Sequence, residues 1–314
     1  MKTGNWKTWR PAAIAGTAAL MMLLSACGGT GAELAATATE DESYTVSHAM
    51  GEATLEEEPE RIVVLDSPHL DALMALDIVP VGASEASAGS GFPEYLSDRL
   101  AGTEVAGLIA EPNLEAIASL RPDLIIGAKV RHEELYSTLS EIAPTVFSEL
   151  TGTDWREQAR ITAAAVNKTS EMDELLAGFD ERAAAVGDRI GASGMTASVV
   201  RFRPESFRLY GPESFSGSVL TQVGFDLGER DWGQYSIVEL SPENFADING
   251  DVIFYTNPGG DPAAGTYDVV ASVWGAQPAV ASGAVFEVAE PTWMLGIGVI
   301  GANLVLDDLE ELLG

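Results

Sequence analysis

Arg201 and Arg203 flank Phe202 at the end of the β-branched run Ala197–Phe202. Strand alternation sends both guanidinium groups to one side. Pro204 follows and removes the next N–H, so the pair stands beside a loop mouth. Two forked cations placed there can donate charge-assisted hydrogen bonds to an oxygen-rich ligand; a solvated edge-strand pair is the competing reading. Arg131 comes shortly after the apolar run Leu124–Gly127, on the edge where ligand crevices of α/β sheets form, and a surface helix start accounts for it equally well. Lys129 is a weaker candidate of the same kind. No Gly-x-Ser-x-Gly elbow, no phosphate loop and no Gly-x-Gly-x-x-Gly turn within a βαβ unit is read, so catalysis is not expected. His48, His69 and His132 lie at no ligand spacing such as i, i+4, which disfavours direct zinc or manganese ligation.

Short β-branched runs alternate with helical stretches, the pattern of α/β layering. Strands are expected at Arg61–Leu65, Ile78–Gly82, Asp123–Gly127 and Thr145–Phe147, then at Ala197–Phe202, Arg208–Tyr210, Val252–Tyr255 and Val285–Val288. Helices are expected over Leu70–Leu76, Leu114–Leu120 and Glu133–Ile142, then over Ser216–Val223, Glu243–Ile248 and Leu295–Leu312. Between the halves, Trp155–Ile190 reads as one long helical stretch with a break around Asn167–Ser170, and Leu175, Leu176, Phe179, Ala183 and Val186 recur at helical spacing.

The halves share a local plan. Pro112-Asn113-Leu114-Glu115 leads to Asp123, which opens an apolar strand eight residues after the Glu; Ser241-Pro242-Glu243-Asn244 leads likewise to Asp251. Asn113 and Ser241 are good N-caps, and Pro242 suits a first helical position. Chance likeness in alanine-rich α/β sequence is the alternative. The expected architecture is α/β, two lobes joined by a single long connecting helix, with a cleft between them.

Residues 1–26 carry Lys2, Lys7 and Arg10, then the short apolar run Ala12–Leu24, too short for a span of ~20 residues. Leu24-Ser25-Ala26-Cys27 matches a lipobox, so Cys27, the sole cysteine, is expected to be the lipidated residue; a sole cysteine also excludes a disulfide framework. Residues 27–45 lack hydrophobic periodicity and suit a tether. The lobes are then expected over 46–153 and 193–314, with a connecting segment over 154–192. With 17 Lys and Arg against 48 Asp and Glu, net −31, the chain repels nucleic acid and anionic lipid headgroups.

The sequence resembles the iron-siderophore solute-binding lipoproteins of ABC transporters, of the cobalamin and ferric-hydroxamate type and particularly those of actinobacteria. The matching stretches are Pro59–Leu65, Glu111–Ile117, Leu120–Ile126, Arg208–Pro212, Leu240–Asn244 and Trp293–Gly296, in the family's order. The resemblance implies paired Rossmann-like lobes and a shallow cleft that closes slightly. It implies a ferric siderophore as ligand, hydroxamate first, with cobalamin, haem or a catecholate as alternatives, and no intrinsic cofactor. It aligns Trp232 and Trp293 with cleft tryptophans, core packing being the alternative, beside Arg201, Arg203 and Arg131 as cationic ligand contacts; Tyr210, Tyr235, His69 and Phe92 are lesser candidates, and a helix-start hydrogen-bonding role competes for His69. Glu115 and Glu243 would dock on an ABC-transporter permease dimer. The protein is expected to act as a monomer, tethered to the outer face of the cytoplasmic membrane. One departure stands out: Ile109 occupies a position where some hydroxamate binders carry an Arg.

Overall fold

The computed structural model describes residues 43–257 and 265–314; Cys27, the leader and most of the expected tether lie outside them. The described chain begins with an antiparallel hairpin, β1 (Tyr44–His48) and β2 (Gly51–Leu55), whose first strand starts inside the stretch read as tether. The N-terminal sheet contains β3 (Ile62–Val64), β4 (Gly82–Glu85), β5 (Glu104–Leu108), β6 (Glu111–Pro112), β7 (Leu124–Ala128) and β8 (Thr145–Ser148). Its spatial order is β6-β5-β4-β3-β7-β8, parallel except for the β5–β6 pair. Five helices connect these strands: α1 (Ser67–Ala75), α2 (Glu94–Ser97), α3 (Leu114–Leu120), α4 (Lys129–His132) and α5 (Tyr136–Ser140). Every residue of Leu-Ile-Ile-Gly-Ala in β7 is buried, as a parallel strand covered on both faces requires.

The connector is two helices, α6 (Trp155–Ala165) and α7 (Thr169–Ile190), rather than one. Asn167 adopts a left-handed conformation between them, which ends the first helix where the break was expected. Helix α6 packs on α1 and β8, whereas α7 packs on the C-terminal lobe and lays Met172, Leu176, Phe179, Ala183 and Val186 into its core.

The C-terminal sheet contains β9 (Ala197–Phe202), β10 (Phe207–Tyr210), β11 (Ile237–Leu240), β12 (Val252–Thr256) and β13 (Val285–Glu287), in the order β11-β10-β9-β12-β13. β9, β12 and β13 are parallel, while β10 and β11 add an antiparallel edge. Its helices are α8 (Phe215–Val223), α9 (Tyr267–Ala271), α10 (Pro278–Ser282), α11 (Glu290–Trp293) and α12 (Val299–Leu313).

Several expected elements shift. Pro80 lacks the N–H a strand interior needs, so pairing begins at Gly82 instead of Ile78. The helix expected over Glu133–Ile142 is divided into α4, a 3-10 turn at Glu133–Leu135 and α5. The helix expected at Glu243–Ile248 is a 3-10 helix over Pro242–Asp247. The last helix starts at Val299 instead of Leu295, because Gly298 breaks from helical geometry with φ 155°.

One contact joins the lobes at depth. Asp71 of α1 accepts from the backbone N–H groups of Ile300 (2.9 Å) and Gly301 (3.1 Å), capping α12 from the opposite lobe. The Tyr95 hydroxyl donates to the same carboxylate at 3.0 Å. Gly296, Gly298 and Gly301 do reproduce the Gly-x-Gly-x-x-Gly spacing, but they follow a helix instead of a strand, and Asp71 already fills the helix N-terminus. Gly298 is required there, since a Cβ would sit 2.3 Å from Asp71 Oδ1.

Candidate functional site

A cavity of about 230 Å³ lies at the seam of the lobes, where the carboxyl ends of β7 and β9 meet the start of α8. Arg201 at the end of β9 and Arg208 on β10 stand directly opposite each other in the antiparallel register, so both side chains leave one face of the sheet. Both line the cavity, together with Tyr210, two residues along the same strand and on the same face. Arg131 of α4 reaches it from the N-terminal lobe, and Tyr235 and Trp293 complete the wall. The first turn of α8 also opens here: Ser214 caps the helix by accepting from Gly217 N–H, and Phe215 and Ser216 line the cavity. The positive end of that helix and three guanidinium groups make this a place for negatively charged oxygen.

Each of these cations is held by one acid. Arg131 Nε donates to Asp66 Oδ2 at 2.9 Å, and Asp66, nearly fully buried, also caps α1 through Ser67 N–H. Arg208 is bound side-on by Glu239, its register partner on β11, at 2.8 and 2.9 Å. Arg201 donates through Nη2 to Glu290 at the start of α11. Burial opposes the charge of Arg201, but Tyr210 and Glu290 outweigh it and hold the guanidinium above its ordinary pKa.

The sequence-predicted residues separate into two groups. Arg201, Arg131, Tyr210, Tyr235 and Trp293 come together on the cavity. Trp293 contributes from the core: its side chain is fully buried, stacks on Phe254 and donates from Nε1 to Asp308 at 2.7 Å. Arg203 shares the face of Arg201 but lies beyond the strand, where the turn back to Ser206 leaves it 3.7 Å from Glu239 and off the cavity wall. Trp232 packs against Gly211, leaving no room for a Cβ there, with Arg230 above its ring; it does not line the cavity. Lys129 pairs with Glu149 and faces a separate groove. Phe92 lines a neighbouring, more apolar cavity with Leu70, Pro291 and Leu295.

His69 is corrected from ligand contact to interior residue. Its Nδ1 lies 2.8 Å from Thr162 Oγ1 and its Nε2 3.1 Å from Ser148 Oγ, so in the neutral ring one nitrogen donates to a hydroxyl and the other accepts from one. Burial pushes its pKa down to about 4. At Ile109 the backbone carbonyl accepts from His132 Nε2 at 2.8 Å and the N–H donates to the Glu85 carbonyl at 2.9 Å. Sequence reasoning missed Arg208 as a site residue; its signal was the alternation of Arg208 and Tyr210 around Leu209, the same period-2 pattern that singled out Arg201 and Arg203.

Two α/β lobes on a helical connector, with the cavity at their seam, define a class III solute-binding fold. The chain belongs to the periplasmic binding protein family, whose model matches residues 62–292, a family of substrate carriers and not of enzymes. Among curated relatives, the probable siderophore-binding lipoprotein YfiY of Bacillus subtilis is 38% identical over 304 residues, covering 92% of this chain and 94% of the relative. The achromobactin-binding periplasmic protein of Dickeya dadantii is 28% identical over 266 residues, covering 82% and 87%. The crystal structure of Staphylococcus aureus SirA complexed with staphyloferrin B superposes with a TM-score of 0.74 at 31% identity, covering 86% of this chain and 98% of SirA.

Proposed function

We propose that this protein captures a ferric siderophore in the cavity between its lobes and hands it to an ABC importer. The carrying observation is the convergence of Arg131, Arg201 and Arg208, drawn from both lobes, on one cavity of a strongly acidic chain. Iron(III) in a siderophore is wrapped by oxygen donors, and such a face is recognised by a few fixed donors in a concave site. The names of the relatives point the same way: siderophore-binding for YfiY, staphyloferrin B for SirA. Iron is here cargo, bound through its chelator. Binding of hydroxamate, carboxylate and catecholate ferric chelates, haem and cobalamin to the chain from residue 28 onward, followed by tryptophan quenching, tests this reading. Saturable binding of haem or cobalamin alone would overturn it.

Two further parts of the proposal concern place and partner. Residues 1–26 act as a lipoprotein signal, and Cys27 carries the anchor that holds the protein outside the cytoplasmic membrane. Cys27→Ser should release the protein or leave it unprocessed, and normal processing with full membrane retention would defeat this assignment. Glu115, in the first turn of α3, and Glu243, in the first turn of the 3-10 helix of the other lobe, are both exposed. They dock on the permease pair, one acid to each subunit.

A further inference from the structure

Arg201 and Glu290 form a half-used pair. Glu290 engages Nη2 of Arg201 through Oε1, while the adjacent donor Nε and the second carboxylate oxygen Oε2 are both buried without a partner among the described residues. Nε and Nη2 are the two donors of the side-on fork that binds a carboxylate with both oxygens. Arg208, by contrast, has Nε and Nη2 both within 2.9 Å of one oxygen, Oε2, of Glu239. Leaving a buried donor unmade is costly, so Nε gains from any acceptor that reaches it.

Glu290 is also placed to leave. It stands at the first position of the short α11 and lines a separate cavity of about 430 Å³ with Asn257, Glu287 and Pro291. On the other side of Arg201 lie Arg208, the α8 N-terminus and Arg131.

From this we infer that Glu290 is an internal stand-in for a ligand carboxylate, and that the cargo is an anionic ferric chelate presenting carboxylates. An arriving carboxylate takes both Nε and Nη2 of Arg201, Glu290 turns into its own cavity, and the exposed Arg208–Glu239 pair is exchanged in the same way. A neutral chelate cannot compensate a displaced Glu290. Arg201 therefore sets specificity by charge, and Glu290 competes for it until a ligand carboxylate replaces it. The inference rests on the proposed function and narrows its cargo.

The test compares ferric citrate, a neutral linear ferric trihydroxamate and a ferric tris-catecholate on wild type, Glu290→Gln and Glu239→Gln. Wild type should bind ferric citrate at least tenfold more tightly than the neutral chelate, with the difference shrinking as salt rises. Glu290→Gln should tighten ferric citrate binding about fivefold, in line with removal of a competing charge, and leave the neutral chelate within about twofold. Glu239→Gln, on the exposed pair, should do the same to a smaller degree and serves if Glu290→Gln does not fold. A Glu290 that merely orients Arg201 would weaken both chelates when changed, and that outcome overturns the inference. So does tighter wild-type binding of the trihydroxamate or the tris-catecholate, although either leaves the siderophore reading standing. If wild type binds none of the three, that reading fails as well.

Discussion

Asp123 and Asp251 occupy matching places in the two lobes, and each ties its own strand to the backbone that enters a neighbouring parallel strand. Asp123, just before β7, accepts from Glu60 N–H and Arg61 N–H at 2.9 Å, ahead of β3. Asp251, just before β12, accepts from the N–H and hydroxyl of Thr196 at 2.9 Å, ahead of β9. The repeat in the sequence is thus a repeat of hydrogen bonding. These bonds hold the Asp251 carboxyl below its ordinary pKa. Its stabilising contribution is present above the unfolded value of 3.8 and is lost as pH falls through the depressed folded value. Asp123→Ala and Asp251→Ala should each lower Tm at pH 7, and the two effects should add, as expected for distant sites. An unchanged Tm in the double variant would show that the strands are held by pairing alone.

Siderophore affinity should depend on the arginines that line the cavity and not on their neighbour in sequence. Arg201→Ala and Arg208→Ala should each weaken binding by roughly 1.5–3 kcal/mol, the range for hydrogen bonds to charged groups. Arg203→Ala should stay within about twofold of wild type, because that side chain lies off the cavity wall. Titration followed by Trp293 fluorescence reads both; a large loss at Arg203 would move the site toward the strand end.

Docking is separable from capture. Glu115→Ala with Glu243→Ala should abolish iron uptake in cells while leaving siderophore binding and Tm close to wild type. Charge complementarity of this kind governs encounter rate and register, so the docking step should weaken with salt. Normal uptake by a normally expressed double variant returns both acids to plain helix-start residues.

Two buried groups oppose each other in acid. Desolvation lowers the pKa of His69 from 6.5 to about 4, so its neutral form contributes stability above 6.5 that is lost as pH falls toward 4. Desolvation also raises the pKa of Asp71 from 3.8 to about 6, so its contribution is present below 3.8 and lost as pH rises through 6. Each shift corresponds to something on the order of 3 kcal/mol. Between pH 6.5 and 4, His69→Gln should therefore gain stability relative to wild type and Asp71→Asn should lose it. Urea unfolding across that range checks both signs; parallel curves for all three proteins would contradict them.

The elements legible in the sequence were those with local signatures. β9 and α3 lie where expected, and the break between α6 and α7 falls at Asn167, because apolar runs, an Asn cap and a left-handed Asn write themselves into a few residues. β1, β2, β5, β6 and β11 were not visible, since their burial alternates irregularly and their pairing is decided by distant partners. The same division runs through the site. Arg201 was legible as one member of an alternating pair, whereas its register partner Arg208 became a site residue only when the hairpin set them opposite each other. His69 and Trp232 misled because aromatic and imidazole groups serve interiors as readily as clefts; only burial and partners separate the two roles.

The N-terminus of α12 borrows its cap from the other lobe, and this bears on traffic at the membrane. Swinging the lobes apart would strip two hydrogen bonds from one buried carboxylate, so laden and empty copies should keep nearly the same silhouette. A transporter that grips the outer rims of both lobes then has little shape by which to turn an empty copy away. On the proposed docking, empty copies would compete with full ones for one berth, and iron uptake should fall when the carrier is made in large excess over its cargo.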